Sequence, residues 1–268
     1  MTIEAFAPAK INLTLHLTGQ RDDGYHLLDS LVVFADVGDR LALTPGAALS
    51  LDVTGPFADG VPTDNRNLAW RAAELAGWTG HIEIEKALPH GAGIGGGSAD
   101  AAAVLRALGS DADALVLGAD VPVCGVGRAA RMRGIGEVVT PVADDPTFFA
   151  VLVNPGLHVA TPEVFARLEC KDHAAMTTLP SRGAGMRAWL DWLRVQRNDL
   201  EAPAVAIAPG IARVLQGLEA TPGVLLARMS GSGSTCFALY PTWSAARFAA
   251  SAIAAERPDW WCVPATLS

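Results

Sequence analysis

The chain reads as an α+β protein built in two parts. Three observations predict this. Its strand-like segments alternate polar and apolar residues, as half-buried antiparallel strands do, rather than running continuously apolar. Turn-rich connections such as "GQRDDGYH", Gly19 to His26, join strand to strand in hairpin fashion. Helical periodicity arrives in separate blocks between these hairpins and not in strict alternation with single strands, which favours α+β over a doubly wound parallel sheet. A chain of 268 residues suits one large domain or two smaller ones, and a division is expected at the Asp144-Asp145-Pro146 turn, giving parts 1–145 and 146–268.

The elements follow in order. Residues 3–17 form a strand interrupted by Pro8. "LLDSLVVFADVGDRLALTPG" reads as strand, turn, strand. Asn67 to Gly77 has helical spacing and a glycine stop. His81 to Pro89 alternates as a strand, and a glycine loop leads to a helix from about Ser98 to Leu108. "DADALVLGADVPV" reads as a short helix running into a loop. From Thr147 the second part gives a strand to Gly156 and helices over Thr161–Glu169, Gly185–Val195 and Pro209–Glu219. A strand, a glycine turn, the strand "TCFALY" and a helix over Trp243–Glu256 complete it.

Composition removes several functions. Half the residues are apolar and 18% are charged, enough for a core and against wholesale disorder. A net charge of -8 argues against nucleic acid as a partner, because phosphate backbones call for clustered cations. No long apolar run predicts a membrane span, and the N-terminus lacks a signal-peptide layout. Cys124, Cys170, Cys236 and Cys262 lie far apart without a CxxC pair, which fits reduced thiols in the cytoplasm. Lysine occurs only at Lys10, Lys86 and Lys171 in a chain that otherwise uses arginine, so a compact point charge is suspected at Lys10 and Lys86.

The most informative stretch is "LPHGAGIGGGSADAAAVLRAL", with glycine at 91, 93, 95, 96 and 97 followed by Ser98. Gly91-x-Gly93-x-x-Gly96 matches a dinucleotide fingerprint, but the strand before it alternates and Pro89 intervenes. The string also resembles a Walker A loop, yet Gly97 stands where the lysine belongs. A third reading needs neither motif. A glycine turn feeding a helix N-terminus offers free N–H groups and the positive end of the helix dipole, which suits phosphates. Ser98 would cap that helix or reach a metal-bound phosphate. A plain tight turn explains one or two glycines, not five.

Three blocks carry a resemblance. "PAKINLTLHLTGQRDDGYH", "LPHGAGIGGGSADAAA" and "MSGSGSTCFALY" are similar to the three motifs of the GHMP kinases. With "LGADVPV", "GIGEVVTPV" and "QRNDLEAPA" the likeness runs in order from about residue 7 to 240, and it narrows to a branch of that family whose substrate carries a CDP group. The resemblance implies a GHMP kinase fold, with an N-terminal domain like domain 2 of ribosomal protein S5, a ferredoxin-like C-terminal domain and an active site in the cleft between them. It implies transfer of the γ-phosphoryl of ATP, with Mg²⁺, to the 2-hydroxyl of a CDP-bearing polyol in the non-mevalonate route to isoprenoid precursors. The expected partner is this small molecule, with no nucleic acid and no membrane.

Residue roles come with the resemblance. Asp120 matches the catalytic base and Lys10 its cationic partner, which keeps the carboxylate ionised. Asn12, on the same strand face as Lys10, matches a substrate-contacting amide. Tyr25 and His26 match the pair that serves the cytosine, and Thr161 with Pro162 borders the substrate. Pro89, Gly91, Gly93, Ile94, Gly95, Gly96, Gly97, Ser98 and Ala99 match the ATP phosphate cradle, with Asn67 and Lys86 near the nucleotide. The glycine block Gly231–Thr235 closes over the site. No metal ligand beyond Asp120 is evident, which leaves Mg²⁺ to phosphates, water and Ser98. Two departures stand out: Val32 occupies the place of a second aromatic wall, for which Phe34 is a substitute, and only "LRALGSDADALVL" separates the loop from Asp120, which implies a shortened helix. Read without the CDP feature, the same motifs fit a homoserine or mevalonate kinase, which has no need of Tyr25 and His26. A non-catalytic sensor on this fold would have lost Asp120 or Lys10.

Overall fold

The computed structural model describes residues 1–143 and 146–268. In chain order the elements are β1 (Ile3–Asn12), β2 (His16–Gln20), β3 (His26–Pro45), β4 (Ser50–Thr54), α1 (Leu68–Leu75), β5 (Gly80–Glu85) and α2 (Gly96–Ala107). A 3-10 turn (Ala114–Leu117) then leads to α3 (Val121–Val126), β6 (Ala130–Gly134), β7 (Val138–Pro141), β8 (Phe148–Asn154), α4 (Thr161–Ala166) and α5 (Met186–Arg194). The chain finishes with α6 (Glu201–Ile207), α7 (Gly210–Glu219), β9 (Leu226–Met229), β10 (Cys236–Tyr240), α8 (Trp243–Glu256) and β11 (Trp261–Leu267). This is the α+β class that the alternating strands predicted.

Two compact units share the chain in interleaved pieces. The first holds Met1–Lys10, Asp36–His90 and Gly95–Gly127. The second holds Ile11–Ala35, Gly91–Ile94 and Arg128–Ser268. The expected division at 145/146 falls on Asp144 and Asp145, which lie outside the described residues.

In the first unit the C-terminal half of β3 runs antiparallel to β5, from Arg40 opposite Glu85 to Pro45 opposite Gly80. β4 lies parallel on the other side of β5. The alternation is strict: Leu41, Leu43, Ile82 and Ile84 are buried while Glu83 and Glu85 face out. Helix α2 is buried at every position from Ala99 to Leu105, and small residues are what let α1 and α3 pack against it. In the second unit β8 pairs antiparallel with β10 on one side and β11 on the other. Val151, Val153, Cys236, Ala238 and Tyr240 meet Ile211, Val214, Ala246, Ala249 and Ile253 from α7 and α8 in one core.

Some expectations need correction. The turn expected inside "LLDSLVVFADVGDRLALTPG" is absent, because β3 runs unbroken for 20 residues from His26 to Pro45. Gly38 is required instead by close approach: a Cβ there would overlap the Ala7 carbonyl oxygen of β1. The strand expected over 3–17 ends at Asn12, and β2 resumes at His16. The tail "WCVPATL" was not read as a strand, yet it forms β11, with Pro264 opposite Val151. Strands β4, β6 and β7 and helix α6 also went unread. Periodicity is weakest in elements of 4 to 7 residues such as these.

Candidate active site

Lys10 sits on β1 with its side chain 4% exposed, and its Nζ donates to Asp120 Oδ2 at 2.9 Å. Asp120 occupies the N-cap position of α3 but its side chain does not cap the helix. It is 38% exposed. The pair thus joins a buried ammonium to a partly exposed carboxylate. What the geometry does is fix one carboxylate oxygen on an ammonium and leave the group reachable.

The glycine loop runs into an uncapped helix start. α2 starts at Gly96, after Gly95 in the left-handed region (φ 67°), and no side chain among the described residues caps it. Its first helical hydrogen bond is Ala99 N–H to Gly95 O at 2.8 Å, so the N–H groups of Gly96, Gly97 and Ser98 have no helical acceptor. The capping role expected of Ser98 is therefore overturned: the serine stands at the third helical position. A Cβ on Gly95 would lie 3.3 Å from Lys10 Cβ, which places Lys10 directly beside the helix start. Ile94 and Ala99 are each 1% exposed and Pro89 is buried, so these three offer backbone or shape rather than a reaching side chain.

Upstream in the loop, in the second unit, Gly93 is clamped against the third glycine block. A Cβ on Gly93 (φ 74°) would come within 2.6 Å of both Gly233 O and Ser230 O, and one on Gly231 within 2.7 Å of Gly93 O. Thr235 N–H donates to Ala92 O at 3.1 Å, and Ser230 Oγ donates to Gly93 O at 3.1 Å while accepting Asn12 N–H at 3.0 Å. The block Gly231–Thr235 is buried and packs against Ala92 and Gly93. Asn198, from "QRNDL", fixes the block by donating to Met229 O and Gly231 O, both at 2.9 Å. Gly91 is exposed, and a Cβ there would meet the His158 ring.

Two expected nucleotide residues turn inward. Asn67 caps α1: its side chain accepts from Ala69 N–H at 2.9 Å and donates to Pro62 O at 2.8 Å, so both ends of the amide are engaged. Lys86 is neither a surface charge nor a free ligand. Its side chain is 3% exposed and pairs with Asp39 and with Asp100, the latter at 2.7 Å. Burial alone would lower the Lys86 pKa, but Asp100 and Asp39 together outweigh it and raise it. Burial pushes the Asp100 carboxyl up to about 7 against the pull of Lys86, with the like charge of Asp39 adding to the rise.

In the second unit, Tyr25 is 60% exposed, held by its backbone: its carbonyl accepts from Arg21 N–H at 2.8 Å and its N–H donates to Asp23 Oδ1 at 3.2 Å. The His26 ring stacks on Phe165 of α4, centroids 4.7 Å apart at 30°. Burial, then Lys171, lower the His26 pKa, which keeps the ring neutral. Its Nε2 is buried without a partner among the described residues. Val32 and Phe34 are 0% and 4% exposed, so neither is an open wall. Phe165 is the aromatic that the sequence reading missed. It lies more than a hundred positions from His26, and only its place four residues after Thr161 hinted at it. Asn12 is 2% exposed. Its Nδ2 donates to Ser30 Oγ at 2.8 Å, while its Oδ1 is buried and unpartnered among the described residues. Thr161 Oγ1 lies 2.8 Å from Ser232 Oγ, joining the start of α4 to the third glycine block.

Comparison with known proteins gives the family. Residues 67–127 match the family described as GHMP kinases N terminal domain, and residues 182–259 match GHMP kinases C terminal. A 4-diphosphocytidyl-2-C-methyl-D-erythritol kinase of Cereibacter sphaeroides is 55% identical, over 98% of this chain and 99% of that one. One from Dinoroseobacter shibae is 56% identical over 99% of this chain and 95% of its own. The chain belongs to the 4-diphosphocytidyl-2-C-methyl-D-erythritol kinases of the GHMP kinase family. A crystal structure of 4-(cytidine 5'-diphospho)-2C-methyl-D-erythritol kinase superposes with a TM-score of 0.78 at 37% identity, covering 99% of each chain. A mevalonate kinase of L. major shares the fold alone, at 17% identity and a TM-score of 0.69. As a GHMP kinase the chain takes ATP as co-substrate. No helix among the described residues is long and apolar enough to cross a membrane.

Proposed function

We propose that this kinase moves the γ-phosphoryl of ATP to the 2-hydroxyl of 4-diphosphocytidyl-2-C-methyl-D-erythritol, with Asp120 and Lys10 at the transfer. The observation that carries the mechanism is the reachable Asp120 carboxylate held by the buried Lys10 beside the uncapped start of α2. The acceptor oxygen bonds to the γ-phosphorus, the bond from that phosphorus to the β,γ-bridging oxygen breaks, and ADP leaves. Asp120 takes the hydroxyl proton or orients it. Lys10 offsets negative charge on the oxygens in flight. The free N–H groups of Gly96, Gly97 and Ser98 receive the phosphates.

Tyr25, His26 and Phe165 form the platform for the cytosine, with the unpartnered His26 Nε2 as acceptor for the exocyclic amine of the base. The unpartnered Asn12 Oδ1 accepts from a hydroxyl of the polyol. Mg²⁺ would arrive on the triphosphate. Among the described residues no group of three His, Cys, Asp or Glu forms a ready cage, and Asp120 with the Ser98 hydroxyl are the hard oxygen donors at hand. When bound, the ion neutralises phosphate charge. The site of action we propose is the cytoplasm.

The test is ADP release with Mg²⁺ and ATP on four acceptors: the cytidylated polyol, the same polyol without CMP, homoserine and mevalonate. The proposal expects turnover on the first alone, with kcat reduced by about 10²–10⁴-fold in Asp120→Asn. Turnover on homoserine or mevalonate instead would sink the substrate assignment.

A further inference from the structure

The Asp39–Lys86–Asp100 cluster takes no part in the chemistry above, yet it lies under the phosphate loop. All three residues belong to the first unit. Asp39 comes from β3, Lys86 follows β5, and Asp100 is in α2. Their side chains are 0%, 3% and 4% exposed. Asp39 Oδ1 accepts from the backbone N–H groups of Ala87 and Leu88 at 2.7 and 2.9 Å, while its Oδ2 takes the Lys86 ammonium. Lys86 Nζ also donates to Asp100 Oδ2 at 2.7 Å. A Cβ built on Gly96 would lie 3.6 Å from Lys86 Nζ and 3.9 Å from Asp39 Oδ2, so the ammonium rests against the first residue of α2.

Stability is a poor reason to keep such a cluster, because well-packed apolar residues of similar size are often as good or better than buried ion pairs. Its carboxylates outnumber its ammonium, and Asp100 Oδ1 is buried without a partner among the described residues. Position is the better reason. One ammonium joins residue 39, the segment 86–88 entering the glycine loop and residue 100 just beyond it. The loop has almost no side chains with which to hold itself, so its entry and exit must be fixed from below.

We propose that the Asp39–Lys86–Asp100 cluster sets the two flanks of the glycine loop in register for the triphosphate, making these three positioning residues for ATP that touch none of the reacting atoms. This rests on the reading of residues 89–99 as the ATP loop.

Steady-state kinetics on the full-length enzyme test it, varying ATP and the cytidylated acceptor separately. Lys86→Met and Asp100→Leu should each raise KM for ATP by about tenfold or more, with KM for the acceptor and kcat changed by no more than about threefold. Asp100→Asn, which still offers Lys86 an acceptor, should restore KM for ATP to within about threefold of the parent. If Lys86→Met does not fold, the Asp100 Leu and Asn pair decides alone. Variants with a lowered melting temperature and an unchanged KM for ATP would overturn the inference, leaving the cluster a mere staple. Gly97→Asp separates the two readings. It favours the helix N-terminus and has room, since a Cβ there would be 3.7 Å from Leu68, but its carboxylate opposes phosphate. An unchanged KM for ATP in Gly97→Asp sinks the loop reading and the inference with it. A raised KM in Gly97→Asp with unchanged cluster variants sinks the inference only.

Discussion

A lysine in an arginine-rich chain gains meaning only from its partner. Lys10 and Lys86 looked alike in the sequence, both near strand ends. The structure separates them: Lys10 meets a reachable carboxylate and Lys86 meets two buried ones. No local pattern encodes that difference, since Asp39 and Asp100 are distant in sequence from Lys86 and from each other. Asn67 shows the same limit, because a helix cap and a ligand amide are the same residue type at the same place. His16 carries a prediction at this scale. Its Nδ1 faces the Ala174 carbonyl at 3.2 Å and its Nε2 accepts Arg197 N–H at 3.2 Å, so the folded ring is neutral with the proton on Nδ1. Burial lowers its pKa below 6.5. As pH falls through 6.5 the unfolded chain takes up a proton that the folded chain refuses, so stability drops. The urea midpoint of the parent should fall more steeply than that of His16→Gln between about pH 7.5 and 5.5. Parallel slopes would contradict this.

Elements were legible where periodicity was long. The strand before the loop, α2, β8 and α8 all appear where spacing put them. The reading failed where a glycine meant something other than a turn. A turn was expected in the stretch that holds Gly38, but that glycine is a missing side chain where β1 comes close to β3. Gly38→Ala should therefore cost about 1–3 kcal/mol, read from urea midpoints, because Cβ and the Ala7 carbonyl cannot share that space without backbone movement. An unchanged midpoint would mean that the strands part freely there. The start of α2 is the opposite case. The run of glycines predicted a helix start with free N–H groups, which the uncapped start of α2 has, while the expected Ser98 cap is absent. β11 stayed hidden because Pro264 and a short mixed tail give no alternation to read.

At the scale of the whole molecule, the family and the fold class were legible in the sequence, but the interleaving of the two compact units was not. β1 and β3 each run through both compact units. Nor was Phe165 legible, since a stacking partner is a fact of tertiary structure. Phe165→Ala should raise KM for the cytidylated acceptor and leave KM for ATP unchanged, by about 5- to 150-fold if a base stack of 1–3 kcal/mol is lost. Equal effects on both constants would point to general loosening of α4.

The central claim is that phosphorus arrives on the 2-hydroxyl of the CDP-bearing polyol. Phosphorus-31 NMR of the product tests it most directly. Carbon 2 of a 2-C-methyl polyol bears no hydrogen. The account therefore predicts one new phosphomonoester resonance without three-bond coupling to a carbinol proton, beside an intact diphosphate. A new resonance split by such a proton, or inorganic phosphate alone, would contradict it.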